Sequence, residues 1–205
     1  MNYQKFRSKW FDLGFVKSNQ VYAWQPDFDK NNMSRWLEKG LLLKLRNGYY
    51  TFPEYKTKSG FIYYIANWIY RPSYISLHSA LAFYGMIPES VAQITSVTSM
   101  KTSMFKNAFG DFSYKSVRPD LIFGYDVKPM PEGRSLLFAK PEKALLDLLY
   151  LYPFYDTASE IEELRLDEDF IRNDLNMELF KEFSHKFNSK ALEKRVNLVC
   201  NLCAI

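Results

Sequence analysis

The chain has 205 residues, 47% of them hydrophobic and 24% charged. That suits one large domain, or a small one plus a medium one, burying roughly two thirds of the unfolded surface, and it excludes intrinsic disorder and a fold that needs disulfide staples. The formal net charge of +4 is unevenly spread: residues 1–52 carry nine Lys/Arg against four Asp/Glu, residues 53–140 ten against six, and residues 141–205 eight against thirteen. A basic front and an acidic tail point to an anionic partner for the first two thirds.

Phe6, Trp10 and Leu13, at i, i+4 and i+7, predict an amphipathic first helix closed by Gly14. Ser18 is placed to cap a short second helix, NQVYAW, which stops before Pro26 because proline disfavours the α conformation in the residue before it. In the stretch DKNNMSRWLEKGLLLKLRNGYYTF (29–52), Met33, Trp36 and Leu37 share one face of a third helix, capped by Asp29 and ended by Gly40. Asn31, Asn32, Arg35 and Lys39 face the other way. The β-prone runs Leu42–Leu45 and Tyr49–Phe52, joined through Arg46-Asn47-Gly48, read as a hairpin. Three helices followed by a basic-tipped hairpin are the pattern of a winged helix-turn-helix, whose third helix enters the major groove. The expected DNA contacts are Asn31, Asn32, Arg35 and Lys39 on the helix, with Lys44, Arg46 and Asn47 on the wing.

Tyr55–Gly60 has no apolar pattern, so a domain boundary falls there: residues 1–54 as the DNA-binding module and 55–205 as a second, mixed α/β domain with a helical tail, α+β overall. Each half is expected to hold its own core, so a chain beginning near Lys58 is expected to fold. FIYYIANWIY (61–70) is apolar nearly all round and predicts a buried helix, too short to span a bilayer. Ser76 is placed to cap a helix over Leu77–Tyr84, ended by Gly85. Ile94–Ser99 predicts a strand, Met104-Phe105 and Phe112–Val117 a hairpin around Asn107–Gly110, and Leu121–Phe123 and Leu136–Ala139 two further strands before Pro141 opens the helix EKALLDLLYLY. From Ala158 the chain reads helical and acidic. The N-terminus lacks the apolar segment of a signal peptide, so a cytoplasmic location without membrane association is expected.

Taken together, RWLEKGLLLKLRNGYYTF, YISLHSALAFYGMIPESV, ITSVTS, the FG turn with FSY, LIFGY and AKPEKALLDLLYLYP, in this order, resemble the AbiEi-type antitoxins of bacterial type IV toxin–antitoxin systems over roughly residues 6–155. The chain departs from that pattern at Lys140, where a small hydroxyl residue is expected before Pro141, and in its acidic tail. The resemblance implies a two-part regulator. The N-terminal module represses its own operon by binding operator DNA, and the second domain counteracts a nucleotidyltransferase-like toxin without necessarily touching it. A monomer or weak dimer on DNA is expected. Alternatives are a stand-alone winged-helix regulator and a Mg²⁺-dependent nuclease.

The nuclease alternative rests on Pro119-Asp120 followed by Asp126-Val127-Lys128, in which two carboxylates would hold Mg²⁺ and the lysine would polarise water. The spacing is short and the pattern loose, so no catalytic site, cofactor or metal is expected. Cys203 follows the helical spacing of Leu192, Val196 and Val199, and the pair Cys200 and Cys203 reads as packed thiols. His78 reads as a packed or surface histidine. Lys143 and Asp147, at i and i+4, read as an exposed helix pair. Lys101, Lys106, Lys115 and Arg118, with Arg71 and Lys128 scattered around the same predicted β region, form a candidate second basic patch.

Overall fold

A computed structural model describes residues 2–89 and 91–203. Helix α1 (Tyr3–Trp10) starts at Asn2, whose side-chain oxygen accepts from the Lys5 N–H at 2.9 Å, and it buries Phe6 and Trp10 as their spacing requires. Leu13 does not continue that stripe. The chain tightens into a 3-10 turn at Phe11–Leu13, which rotates Leu13 to the surface at 49% exposure. Gly14 follows at φ +80°, where a Cβ would lie 2.9 Å from the Phe61 ring, so both the backbone angle and the space demand glycine.

Strand β1 (Phe15–Lys17), which the periodicity did not announce, comes next, then helix α2 (Ser18–Trp24). Ser18 is the first residue of α2 rather than its cap: its N–H donates to the Gly48 carbonyl at 2.9 Å, while the Gln20 side chain accepts from the Lys17 N–H. Helix α3 (Asn31–Glu38) buries Met33 and Trp36. The Asp29 carboxylate accepts from the Asn31 N–H at 3.0 Å, and beyond Gly40 the Leu41 and Leu42 N–H groups return to the Trp36 carbonyl. Strands β2 (Leu43–Arg46) and β3 (Tyr49–Thr51) form the expected hairpin. Gly48 alone of its two turn residues has positive φ, and a register shift between Lys44 and Arg46 absorbs the difference. The small sheet is antiparallel in the order β1-β3-β2.

The predicted linker is not a solvated spacer. Residues Pro53–Thr57 form a 3-10 turn whose Tyr55 is 1% exposed, stacks on Phe61 at 4.4 Å between ring centres and donates to the Phe11 carbonyl at 2.6 Å. Arg134 donates from one Nη to both the Asp12 carbonyl and the Tyr55 hydroxyl, each at 2.9 Å. Phe15 packs on Trp68 at 4.7 Å. The buried apolar residues of the two halves therefore form one continuous core, contrary to the expectation of two independent ones.

Helix α4 (Phe61–Ile69) lies on one face of a six-stranded sheet. Its strands are β4 (Ser73–Ile75), β5 (Gln93–Thr98), β6 (Ser103–Asn107), β7 (Gly110–Ser116), β8 (Tyr125–Pro129) and β9 (Ser135–Ala139), in the mixed order β6-β7-β5-β4-β9-β8. Tyr114 of β7 donates to the Ala66 carbonyl of α4 at 2.7 Å, whereas Thr95, on the opposite face of β5, bonds Ser79 of helix α5 (His78–Tyr84). The strand expected at Leu121–Phe123 is instead a 3-10 turn, Pro119–Leu121, that plugs Leu121 into the core; the strand begins after Gly124, at β8. Ser76 does not cap α5, because its hydroxyl donates inward to Asp147.

Helix α6 (Pro141–Leu151) is buried along most of its length. Four helices follow it, α7 (Ala158–Glu162), α8 (Glu168–Asn173), α9 (Met177–Lys186) and α10 (Lys190–Leu202), of which α9 and α10 pack on α6 and α7 packs on α10. Thr157, Asp167, Asn176 and Ser189 cap them in turn through their side-chain oxygens. Cys203 is buried and Cys200 partly so, and burial raises both thiol pKa values, which keeps them protonated. Among the described residues, no helix is long and apolar enough to cross a membrane.

Candidate nucleic-acid interface

Helix α3 is held by its apolar face, so the opposite face is left to solvent. Asn31, Arg35 and Lys39 are exposed and Asn32 is half-buried. Arg35 is not idle: its Nη2 donates to Asp29 Oδ2 at 2.7 Å and to Asn32 Oδ1 at 2.8 Å. An exposed pair of this kind is worth about 0–1 kcal/mol, little enough for a stronger anionic partner to displace. The same carboxylate that caps α3 thus also aims the guanidinium.

On the hairpin, Lys44 and Asn47 are exposed, as a solvent-facing strand edge and turn require. Arg46 is not at the free tip. Its Nη1 donates to the Ile69 carbonyl at the end of α4, and its guanidinium carbon lies 4.8 Å from the centre of the Phe105 ring and 5.5 Å from those of Tyr49 and Tyr70. The charge expected at the wing tip therefore lies elsewhere in the free protein: the long stem folds back onto the second half of the chain, where the Ile69 carbonyl and the Tyr70 and Phe105 rings receive it, with Tyr49 of the hairpin beside it.

A groove of about 400 Å³ separates the hairpin from the edge strand of the large sheet, lined by Lys44, Arg46, Asn47, Met104, Phe105 and Lys106. One further bond spans the two sheets, from Asn107 Nδ2 to the Leu45 carbonyl at 3.1 Å. No local signal announces it, since the partners are 62 residues apart.

The second basic patch divides. Lys106 is 84% exposed at the side chain, faces Asp111 at 3.4 Å and joins the groove, and Lys101 is exposed before β6. Lys115 is four residues beyond Asp111 along β7, roughly 13 Å away, with its ammonium over the Tyr152 ring. Arg118 donates to the Phe187 carbonyl at 3.2 Å and pairs with Asp120. Arg71 stacks on Trp68 at 4.0 Å, and Lys128 lies over Phe83, Tyr84 and Phe138. Of the cations grouped by sequence, Lys106 alone lines the groove with Lys44 and Asn47.

Asp120 and Asp126, the two carboxylates of the nuclease pattern, take separate partners, Arg118 at 3.3 Å and Lys140 at 3.0 Å. No group of three or more His, Cys, Asp and Glu side chains that could hold a metal ion occurs among the described residues. His78 packs edge-on to Tyr152, and burial lowers its pKa, leaving a neutral imidazole at pH 7.

Lys143 and Asp147 are not an exposed helix pair: both are fully buried. The ammonium donates to Asp147 Oδ1 and to the Tyr74 hydroxyl; Tyr74 and Ser76 donate to Asp147 Oδ2 at 2.9 and 2.8 Å. Burial lowers the Lys143 pKa and raises that of Tyr74 well above its ordinary value. The four side chains satisfy one another away from solvent, an arrangement that ties α6 to β4 rather than presenting a reactive group. Neither a protein-family model nor a curated protein matches this chain.

Proposed function

We propose that residues 1–54 are a winged helix-turn-helix that binds operator DNA, and that the whole chain is an AbiEi-type antitoxin: an autorepressor that also counteracts a nucleotidyltransferase-like toxin. The observation that carries the DNA reading is the outward face of α3, with Asn31, Arg35 and Lys39 exposed, on the same module as a hairpin presenting Lys44 and Asn47. The order helix, strand, helix, helix, hairpin and the sheet order β1-β3-β2 support the winged-helix reading. Amide and guanidinium groups suit base edges, and the lysines suit phosphates. The antitoxin reading rests on the sequence resemblance, which extends through AKPEKALLDLLYLYP.

Two measurements test it. Fluorescence anisotropy with duplex from upstream of the gene, against a shuffled duplex of equal length, is expected to give tighter binding to the native sequence, weakening steeply with salt. Equal affinity for both, or none for either, overturns the repressor. Growth rescue with an adjacent nucleotidyltransferase-like reading frame, both genes on unrelated promoters, tests the antitoxin. Sequence-specific binding without rescue leaves a stand-alone regulator.

A further inference from the structure

We infer that Arg46 is a positioning residue, which locks the β2–β3 hairpin to the second half of the chain and so presets the pose in which the hairpin meets DNA. The inference rests on the DNA reading above for its consequence, but not for the lock itself. Strand β2 is one edge of the small sheet and β6 one edge of the large one, and they face each other across the groove. The edges are not joined by a ladder. Two side-chain bonds join the hairpin to the second half instead: Asn107 Nδ2 of β6 to the Leu45 carbonyl, and Arg46 Nη1 to the Ile69 carbonyl at the end of α4.

The receiving site is itself rigid. Tyr70 donates to the Lys101 carbonyl at 2.8 Å and packs its ring on Tyr114 at 5.0 Å and Phe105 at 5.4 Å. Ile69 closes a helix buried in the core. A guanidinium held by a main-chain acceptor and by the Tyr70 and Phe105 rings of the second half has fixed orientation, and the residue that carries it is the last of β2 before the turn. The hairpin tip inherits that orientation. Pairing of β3 with β1 keeps the hairpin folded without this brace, but its β2 side and tip would be freer, and the part of their ordering left to the binding step appears as lost affinity.

The test uses the full chain and Arg46→Met, which keeps the apolar stem and removes the guanidinium. In the free protein, hydrogen exchange across residues 43–51 is expected to speed while exchange across α6 stays unchanged. With upstream duplex, affinity is expected to fall about two- to tenfold, the size of an ordering cost moved onto the binding step. The slope of log K against log salt stays as in the wild type, because no phosphate contact is lost, whereas a phosphate-contacting arginine would take about 0.9 from it. Phe105→Leu is expected to weaken binding in the same way, and the double variant to bind no worse than Arg46→Met alone.

Unchanged exchange in residues 43–51 overturns the lock, as does a reduced salt slope or strictly additive loss in the double variant. If the wild type binds no duplex, the DNA reading fails instead, and the lock is decided by the exchange measurement.

Discussion

Gly124 and Gly40 both sit at positive φ, +69° and +66°, but their surroundings differ. A Cβ on Gly124 would lie 2.8 Å from the Phe183 ring and 3.1 Å from the Lys143 stem, whereas one on Gly40 meets nothing within 4 Å. Gly40→Ala is expected to cost about 1–2 kcal/mol, the penalty for a side chain in the left-handed region. Gly124→Ala is expected to cost a further ~1–3 kcal/mol from overpacking. Urea denaturation of the two variants side by side checks the difference; equal midpoints would show that the Phe183 contact yields freely. Lys143→Met should be more damaging, by about 3–5 kcal/mol, because it strands the Asp147 carboxylate in the core. Adding Asp147→Leu to that variant should restore a large part of the loss, which separates an unpaired charge from a packing defect.

At the scale of the element, α3 and the hairpin divide the expected DNA contact between them. Arg35→Ala should lower affinity for the upstream duplex roughly five- to a hundredfold if the arginine reads a guanine, since such a bidentate contact is worth about 1–3 kcal/mol. Its stability effect should be small, because the bonds it gives up to Asp29 and Asn32 lie on the surface. Lys44→Ala belongs to the other kind: it should weaken native and shuffled duplexes alike and reduce the salt slope by about 0.9. Anisotropy titrations at several salt concentrations distinguish the two. Identical behaviour of both variants on both duplexes would refute the division between reading and anchoring.

For the whole molecule, the continuous core changes what a truncation can show. Removing residues 1–57 takes Tyr55 from Phe61 and Phe15 from Trp68, leaving the outer face of α4 without its cover. A chain beginning at Lys58 is therefore expected to lose fixed tertiary packing, contrary to the sequence expectation, and near-UV circular dichroism would report that loss. A native-like spectrum and a cooperative unfolding transition would restore the two-core picture. Separation of activities is better sought on the surface. The doubly substituted Arg35→Ala/Lys39→Ala protein keeps every buried contact and should lose repression while still rescuing growth from the toxin; loss of both activities in a folded protein would mean that DNA contact and protection share a surface.

The sequence by itself determined the elements whose stabilisation is local. Met33 and Trp36 on one helical face, the Asp29 cap, the Asn47-Gly48 turn, the apolar run of α4 and the Pro141 start of α6 each act through neighbours within a turn or a strand pairing, so their spacing was sufficient. The three-residue strands β1 and β4 escaped it, because so short a segment carries no readable alternation and is extended only by the partners that flank it. Side-chain destinations escaped it for the same reason on a larger scale. Arg46 looked like a turn cation and Lys143 like a surface one, since nothing in their local sequence marks the Ile69 carbonyl or the Tyr74 hydroxyl, the latter 69 residues away, as the partner. Charge prefers water unless the fold supplies a carbonyl, a carboxylate or an aromatic face at the right place, and only the tertiary structure decides where those are.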